Sequence, residues 1–227
     1  MAYILNIHTA TETAIMNLSQ GPETLHTRIN DDTKQHATFL HPAINDLLQK
    51  ENISIKALRG IGITLGPGSY TGMRVGLAAA KGLCYSLKIP LITFSTLEVM
   101  ALSAAALAKD SKALYCPMID ARRMEVYTAV YNFNIETIEP PSAKIITEIF
   151  FNEYTNASKI FFSGSGSKKL RQLKKIPENY FLETEISSEM LTHFSWKKYI
   201  CANFENVAYA QPLYIKEFYT TSKKMPF

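Results

Sequence analysis

The chain has 227 residues, of which 47% are hydrophobic and 19% charged, so it is not disordered and can form one large or two small domains with hydrophobic cores. Its net charge of +4 is mild. Three cysteines without metal-like spacing, no basic leader segment and no apolar stretch long enough to cross a bilayer predict a cytoplasmic protein without a membrane contact.

The first half of the chain predicts three strands, a helix, a strand, a helix and a strand. Strands are expected near 3–7, 13–18 and 25–29, and they would form an antiparallel meander. A helix over 36–50 follows, and its apolar stripe consists of Leu40, Ala43, Ile44 and Leu47. The strand that starts at Gly60, a helix over 70–87, a strand over 91–94 and a helix ending at Ala108 complete this half.

The second half restarts the pattern in a reduced form. Strands are predicted over 113–119, 125–131 and 160–163, with a weaker strand near 144–147. Helices are expected over 168–174 and 189–202, and the segment from Asn206 returns across the surface. The order predicts two lobes, an N-terminal lobe over 1–108 and a C-terminal lobe over 109–227, the second with C-terminal helices and a tail.

A glycine-rich loop, Gly66-Pro67-Gly68-Ser69-Tyr70-Thr71-Gly72, joins a buried strand to a helix. Pro67 ends the strand, glycines permit conformations that side chains resist, and a hydroxyl can cap the helix. Helix N-termini attract anions. The candidate anion or nucleotide contacts are therefore Gly66, Gly68, Ser69 and Thr71. The loop matches neither of the two best-known phosphate-binding glycine patterns, so a nucleotide site stays an open alternative.

The helix after this loop has a face almost without side chains. Its small residues fall at three- and four-residue spacings, and they are Gly72, Gly76, Ala79 and Ala80. Two glycines cost such a helix about 2 kcal/mol relative to alanine. Close packing on the helix's own sheet and close packing on a helix of a partner would both explain this face.

Three further motifs follow along the chain. Ser95-Thr96-Leu97-Glu98 opens a helix and has the spacing of a capping box. Asp120-Ala121-Arg122-Arg123 lies at the end of a predicted strand, and Pro212-Leu213-Tyr214-Ile215-Lys216 lies near the end of the chain.

Together with the glycine-rich loop and Ala80-Lys81-Gly82-Leu83, these motifs resemble the TsaB family, the non-catalytic subunits of the bacterial tRNA threonylcarbamoyladenosine synthesis complex. The resemblance is specific over 3–131 and thin over 132–207. It implies an α/β fold of the actin, sugar-kinase and Hsp70-like (ASKHA) type, with two ribonuclease-H-like lobes of which the second is reduced. It also implies no catalytic or metal-binding residues, no tightly bound cofactor, and ATP only at the level of the complex.

The resemblance further implies a heterodimer with a catalytic threonylcarbamoyltransferase paralogue, built as a four-helix bundle from the helices near 40–47 and 70–87. The expected interface residues are Leu40, Ala43, Ile44, Leu47, Gly72, Gly76, Ala79, Ala80 and Leu83. A small ATPase would join this complex, tRNA would bind through the complex, and the free protein would form a homodimer. Gly76→Leu is expected to prevent heterodimer formation without unfolding the chain.

Several polar residues are candidates for catalytic or metal-binding roles, but their positions in the sequence favour structural roles. Relatives in this superfamily that handle nucleotides end their first strand in Asp-Thr-Ser, whereas this chain has His8-Thr9-Ala10, and imidazole cannot replace that carboxylate as a magnesium ligand. Asp120 beside two arginines favours a local ion pair. His36 and His41 are five residues apart, which turns them about 140° from each other on a helix and argues against a metal pair.

Two enzyme classes remain as alternatives. The loops at Gly66 and Gly164 would suit an ATP-dependent phosphotransferase of the same fold. A peptidase would need a metal or a nucleophile pair, and Ser69 has no histidine in its own motif. A basic cluster behind the second loop favours a solvated face over phosphate contact, and its members are Lys168, Lys169, Arg171, Lys174 and Lys175.

Overall fold

The fold is seen in a computed structural model, which describes residues 2–32, 35–147, 159–173, 176–184 and 186–216. Lys174 and Lys175 of the basic cluster lie outside the described residues, as do 148–158 and 217–227 of the predicted second lobe.

The first five strands form one sheet in the order β3-β2-β1-β4-β5. They are β1 (Tyr3–His8), β2 (Ala14–Gln20), β3 (Glu23–Asn30), β4 (Leu58–Thr64) and β5 (Leu91–Phe94). The predicted meander is confirmed, because β1, β2 and β3 pair antiparallel, whereas β4 lies parallel to both β1 and β5. The central strands β1 and β4 are buried along almost their whole length, which explains their apolar sequences.

The other strands form a second sheet in the order β10-β9-β6-β7-β8. They are β6 (Leu114–Asp120), β7 (Glu125–Tyr131), β8 (Thr137–Ile145), β9 (Ile160–Ser163) and β10 (Phe181–Leu182). Within this sheet, β7 pairs antiparallel with β6 and β8, whereas β9 pairs parallel with β6 and β10. The second sheet therefore repeats the strand order and directions of the first. This repetition confirms two ribonuclease-H-like lobes.

Two strands of the second sheet differ from the sequence prediction. The strand β8 covers Thr137–Ile145, whereas only a weak strand near 144–147 was expected. Pro140 and Pro141 interrupt its pattern, and both are tolerated because β8 lies at an edge of the sheet. The strand β10 was not predicted, since its two residues are too few to show a periodicity.

Five α-helices lie in the described part of the chain: α1 (His36–Lys50), α2 (Tyr70–Leu87), α3 (Thr96–Ala108), α4 (Ser167–Arg171) and α5 (Ser188–Ile200). The first two pack on one face of the first sheet and share its hydrophobic core. The predicted capping box of α3 is confirmed, because the Ser95 hydroxyl accepts a backbone N–H and Glu98 accepts the Ser95 N–H at 3.0 Å.

Packing divides the lobes differently from the predicted boundary at 108. Most of the buried face of α3 packs against the second sheet, where Leu97 and Ala101 share a core with Tyr115. Conversely, α5 returns to the first sheet, where Leu191 joins a core that contains Ile4. Each lobe therefore includes a helix from the other part of the chain, an exchange that strand and helix order does not reveal.

The small face of α2 packs on the protein's own sheet. A Cβ atom added to Gly72 would lie 2.0 Å from the Thr9 carbonyl oxygen, and one added to Gly76 would lie 2.3 Å from Thr9 Oγ1. The Thr9 hydroxyl donates a 2.7 Å hydrogen bond to the Gly72 carbonyl, and Ala80 is fully buried. The glycines thus permit close contact between α2 and the end of β1.

Seven of the nine predicted interface residues are consequently buried within the chain itself: Leu40, Ala43, Ile44, Leu47, Gly72, Gly76 and Ala80. Their assignment to a partner surface is wrong for this fold, because the apolar stripes of α1 and α2 cover the first sheet. The expectation for Gly76→Leu is wrong for the same reason, since a leucine there would disrupt the core. Ala79 and Leu83 are half-buried.

The outward face of α2 carries a different set of small residues. Ala78 and Gly82 are exposed, and a Cβ added to Gly82 would meet no atom within 4 Å. Tyr85 is 84% exposed on the same helix. Any surface that α2 offers to another molecule is therefore built around Ala78 and Gly82.

We expect glycine-to-alanine substitution to change the free energy of unfolding in opposite directions at two positions of α2. Gly82→Ala should raise the free energy of unfolding by roughly 0.5–1 kcal/mol, because alanine favours helix and the site is open. Gly72→Ala should lower it by roughly 1–3 kcal/mol, since the new Cβ collides with the Thr9 carbonyl. Urea unfolding of both variants measures this difference. Equal effects at the two positions would contradict the packing of α2.

Candidate functional site

His8, at the end of β1, is fully buried. Its Nδ1 lies 2.8 Å from Thr64 Oγ1 and its Nε2 lies 2.7 Å from Thr11 Oγ1. Burial, with a smaller contribution from His36, lowers the pKa of His8 to about 3. The imidazole is therefore neutral near pH 7, and both of its nitrogens are already hydrogen-bonded.

The glycine-rich loop wraps around the turn after β1. Gly66 and Gly68 have φ values of +113° and +158°, and a Cβ on Gly68 would lie 1.9 Å from the Ala10 carbonyl oxygen. That carbonyl accepts the Ser69 N–H at 2.7 Å, and the Ser69 hydroxyl accepts the Gly72 N–H at 3.3 Å. The Ser69 N–H, which was expected to meet an anion, is thus already bonded to the turn after β1, and the Ser69 hydroxyl caps the helix as an acceptor.

A cleft of about 1120 Å³ lies between the lobes, next to this loop. The first lobe lines it with Thr11, Glu12 and residues 67–71, which include Gly68, Ser69 and Thr71 among the predicted anion contacts. The second lobe contributes residues 119–123, Ser165 and Lys169, and the segment 213–216 closes one side. The structure thereby brings the glycine-rich loop, the Asp-Ala-Arg-Arg turn and the closing motif to one place.

Asp120 forms the predicted local ion pair, but its partner is Lys169 rather than either neighbouring arginine. Lys169 Nζ lies 2.6 Å from Asp120 Oδ1, and the backbone N–H of Arg122 donates to the same oxygen at 2.6 Å. Partial burial would raise the pKa of the Asp120 carboxyl, but these hydrogen bonds outweigh it and hold the pKa below its ordinary value. Asp120 is therefore an ionised structural carboxylate.

The basic cluster behind the second loop is divided among different contacts. Lys168 is exposed, as expected for a solvated face. The Lys169 side chain is only 12% exposed and also donates to the Glu125 carbonyl at 2.9 Å, which corrects its assignment to a solvated face. Arg171 forms ion pairs with Glu178 and Glu183.

The described residues show no cluster of reactive side chains of the kind that either enzyme alternative requires. His36 is buried and hydrogen-bonded to the Glu12 carbonyl at 3.0 Å, whereas His41 is exposed. Within the described ranges, no group of three or more His, Cys, Asp or Glu side chains is arranged to hold a metal ion. No histidine of that part of the chain is hydrogen-bonded to Ser69.

Sequence analysis missed an aromatic and cationic group at the cleft. The rings of Tyr70 and Tyr214 lie 5.4 Å apart, and the Arg74 guanidinium lies 5.1 Å from the centre of the Tyr70 ring. Lys216 forms an ion pair with Glu125, and the Leu213 N–H donates to the Leu65 carbonyl at 2.8 Å. Tyr70 and Tyr214 both lie in motifs that the sequence analysis singled out. Their contact could not be predicted, because the two residues are far apart in the sequence.

No helix in the described ranges has both the length and the apolar character that a membrane span requires.

Comparison with known proteins gives consistent matches. A sequence profile described as "TsaD: tRNA N6-adenosine threonylcarbamoyltransferase" matches residues 24–225. The Bacillus subtilis (strain 168) "tRNA threonylcarbamoyladenosine biosynthesis protein TsaB" is 38% identical over 106 residues, or 47% of this chain and 44% of that protein. The Escherichia coli (strain K12) protein of the same name is 34% identical over 129 residues, or 56% of this chain and 54% of that protein. These matches span about half the length of each curated relative.

A solved structure supports the same fold over the whole described architecture. It comes from Pseudomonas aeruginosa, is described as an uncharacterized protein with similarity to peptidase YeaZ, and is 22% identical with a TM-score of 0.81. The similarity covers 95% of this chain and 100% of that one. At this identity the likeness concerns the fold alone.

Two ribonuclease-H-like lobes facing a common cleft define a protein of the ASKHA class, which confirms the expected fold. The chain belongs to the family that the matching profile describes, in which its curated relatives are TsaB proteins.

Burial of neutral His8 predicts a pH-dependent stability. Between the ordinary pKa of 6.5 and the lowered value of about 3, the unfolded chain binds a proton that the folded chain excludes. The free energy of unfolding should therefore fall as the pH drops below 6.5, by about 2 kcal/mol at pH 5 relative to pH 7.5. Urea unfolding at both pH values measures the change. His8→Gln is the control, and an unchanged pH dependence in this variant would refute the role of His8.

Proposed function

We propose that this chain is a non-catalytic subunit of the bacterial tRNA threonylcarbamoyladenosine machinery, and that it supports a catalytic threonylcarbamoyltransferase paralogue. The names of its relatives support the pathway, and the profile match supports common ancestry with the transferase. One observation carries the non-catalytic role. The position at the end of β1 that would hold a metal-binding carboxylate is occupied by His8, which is buried, neutral and hydrogen-bonded on both sides.

The outward surface of α1 and α2 is the proposed partner site. Ala78 and Gly82 are small and exposed, so another helix can approach this face of α2 closely. Tyr85 lies beside them as a large exposed aromatic residue. A groove of about 620 Å³ continues this surface at the C-terminal end of α1, with the partly exposed Ile53, Ile55 and Leu83 in its lining. An aromatic anchor beside a small-residue strip and an apolar groove suits a bundle with two helices of the paralogue.

The remaining partners follow from the same proposal. The free chain would form a homodimer through this face, because one copy can cover the same exposed residues of another. In the complex, the paralogue would replace that copy, a small ATPase would bind elsewhere, and tRNA would receive its threonylcarbamoyl group on the paralogue. The protein would act in the cytoplasm, where tRNA modification takes place.

Co-expression with the catalytic paralogue of the same organism tests the partner site. Gly82→Arg should weaken the heterodimer about 100-fold, because a long charged side chain would enter the close helix contact. The variant itself should fold, since arginine favours helix and Gly82 has open space around it. Size-exclusion chromatography with light scattering gives the mass of each complex.

Ala106→Arg is the matched control, because Ala106 is an exposed residue in the helix α3, outside the proposed surface. It should leave a one-to-one heterodimer intact. The proposal fails if the wild-type chain and a folded paralogue elute separately. If Gly82→Arg binds the paralogue as tightly as Ala106→Arg, the partner site lies elsewhere.

A further inference from the structure

The cleft between the lobes combines two features that the partner-binding role does not use. One is a pair of arginines, Arg122 and Arg123, on the turn between β6 and β7, and the other is a pair of exposed tyrosines, Tyr70 and Tyr214. All four residues line the same cleft of about 1120 Å³. Only the first turn of α2 lines this cleft, through Tyr70, Thr71 and Met73, and the residues of the proposed partner site on α2, Ala78, Gly82 and Tyr85, do not.

The charge balance of the cleft leaves both arginines available. Of its basic side chains, Lys169 is paired with Asp120 and Lys216 is paired with Glu125. Arg122 and Arg123 are exposed, and neither forms an ion pair with another described residue. Both have positive φ angles, of 68° and 50°, which is uncommon for residues other than glycine. The backbone thus holds two adjacent guanidinium groups at the cleft.

The tyrosine rim provides a surface for stacking. Tyr70 and Tyr214 are 36% and 44% exposed, and their rings are tilted by 34° at a distance of 5.4 Å. Arg74 lies against Tyr70 and adds a cation to this rim. Aromatic rings beside arginines bind nucleic-acid strands in many proteins, because bases stack on the rings and phosphates pair with the guanidinium groups.

We propose that this cleft binds an unpaired segment of RNA, with a base stacked at Tyr214 and adjacent phosphates paired with Arg122 and Arg123. The choice of RNA rests on the proposed function, in which the chain belongs to a tRNA-modifying complex.

The local geometry favours an RNA strand over a free nucleoside triphosphate. Two backbone N–H groups of the glycine-rich loop that could cradle a triphosphate, those of Ser69 and Gly72, already donate to the Ala10 carbonyl and the Ser69 hydroxyl. The Asp120 carboxylate, which could hold a magnesium ion, is bound to Lys169 and to the Arg122 N–H. Diester phosphates of RNA carry one charge each and need only the arginines, and the exposed tyrosines suit bases on an extended strand.

Fluorescence anisotropy tests the proposal with the full chain and a labelled single-stranded RNA of about 12 nucleotides at low salt, near 50 mM. Tyr214→Ala should weaken binding at least fivefold, as loss of one stacked base does. Tyr214→Phe should restore it. The double variant Arg122→Gln/Arg123→Gln should weaken binding and reduce the slope of log affinity against log salt by roughly 1.4, as expected for two phosphate contacts on a single strand.

Two matched controls separate the cleft from the general surface. Tyr209 is 79% exposed and Lys168 is exposed, and neither lines the cleft. Tyr209→Ala and Lys168→Gln should therefore leave RNA binding unchanged. Circular dichroism and thermal melting of every variant confirm folding.

The proposal is overturned if the wild-type chain does not bind the RNA, or if Tyr209→Ala and Tyr214→Ala weaken binding equally. It is also overturned if magnesium ATP binds the cleft through these residues and the RNA does not, which would instead favour a nucleotide site. Heterodimer formation with the paralogue is measured separately on the α2 surface. A failure of RNA binding with an intact heterodimer would reject this inference alone, whereas loss of both would reject the proposed function.

Discussion

The contact between the start of α2 and the end of β1 is the constraint on which the arrangement of the first lobe depends. Gly72 and Gly76 allow the helix to lie directly against Thr9, whose hydroxyl donates to the Gly72 carbonyl. The same approach places Gly68 and the Ser69 N–H against the Ala10 carbonyl. Residues with larger side chains would push α2 away from the sheet and separate the glycine-rich loop from the turn that it covers.

This close packing also shapes the cleft and its chemistry. The Ser69 N–H donates to the neighbouring turn and the Gly72 N–H donates to the Ser69 hydroxyl, so the loop has two fewer backbone donors for an anion. The arginines of the cleft come from the second lobe, where Asp120 bonds both Lys169 and the Arg122 backbone. Several polar groups at the cleft are thus bound to other groups of the protein.

Much of this architecture was predictable from the sequence, and the exceptions have physical reasons. Periodicity located α1, α2, the meander and most strands, and the capping residues fixed the start of α3. Periodicity could not tell which neighbour the small face of α2 meets, because a sheet and a partner helix require the same spacing. The strand β8 was misplaced because two prolines broke its pattern. At the site, the Asp120 to Lys169 pair and the Tyr70 to Tyr214 contact join segments far apart in sequence, which local patterns do not encode.

The return of α5 to the first sheet has a consequence for the order in which the protein can fold. The second face of that sheet is covered by α5, where Thr192 binds Asn17 at 2.7 Å and Ser195 lies next to Gly62. A chain still emerging from the ribosome has made β1 to β5 long before it makes Ser188. Until then, Ile4, Ile15 and Ile92 of the unfinished sheet lack the Leu191 side chain that covers them in the complete protein. The first lobe to be synthesised is therefore among the last parts to be completed, and the apolar face of its sheet stays uncovered during most of translation.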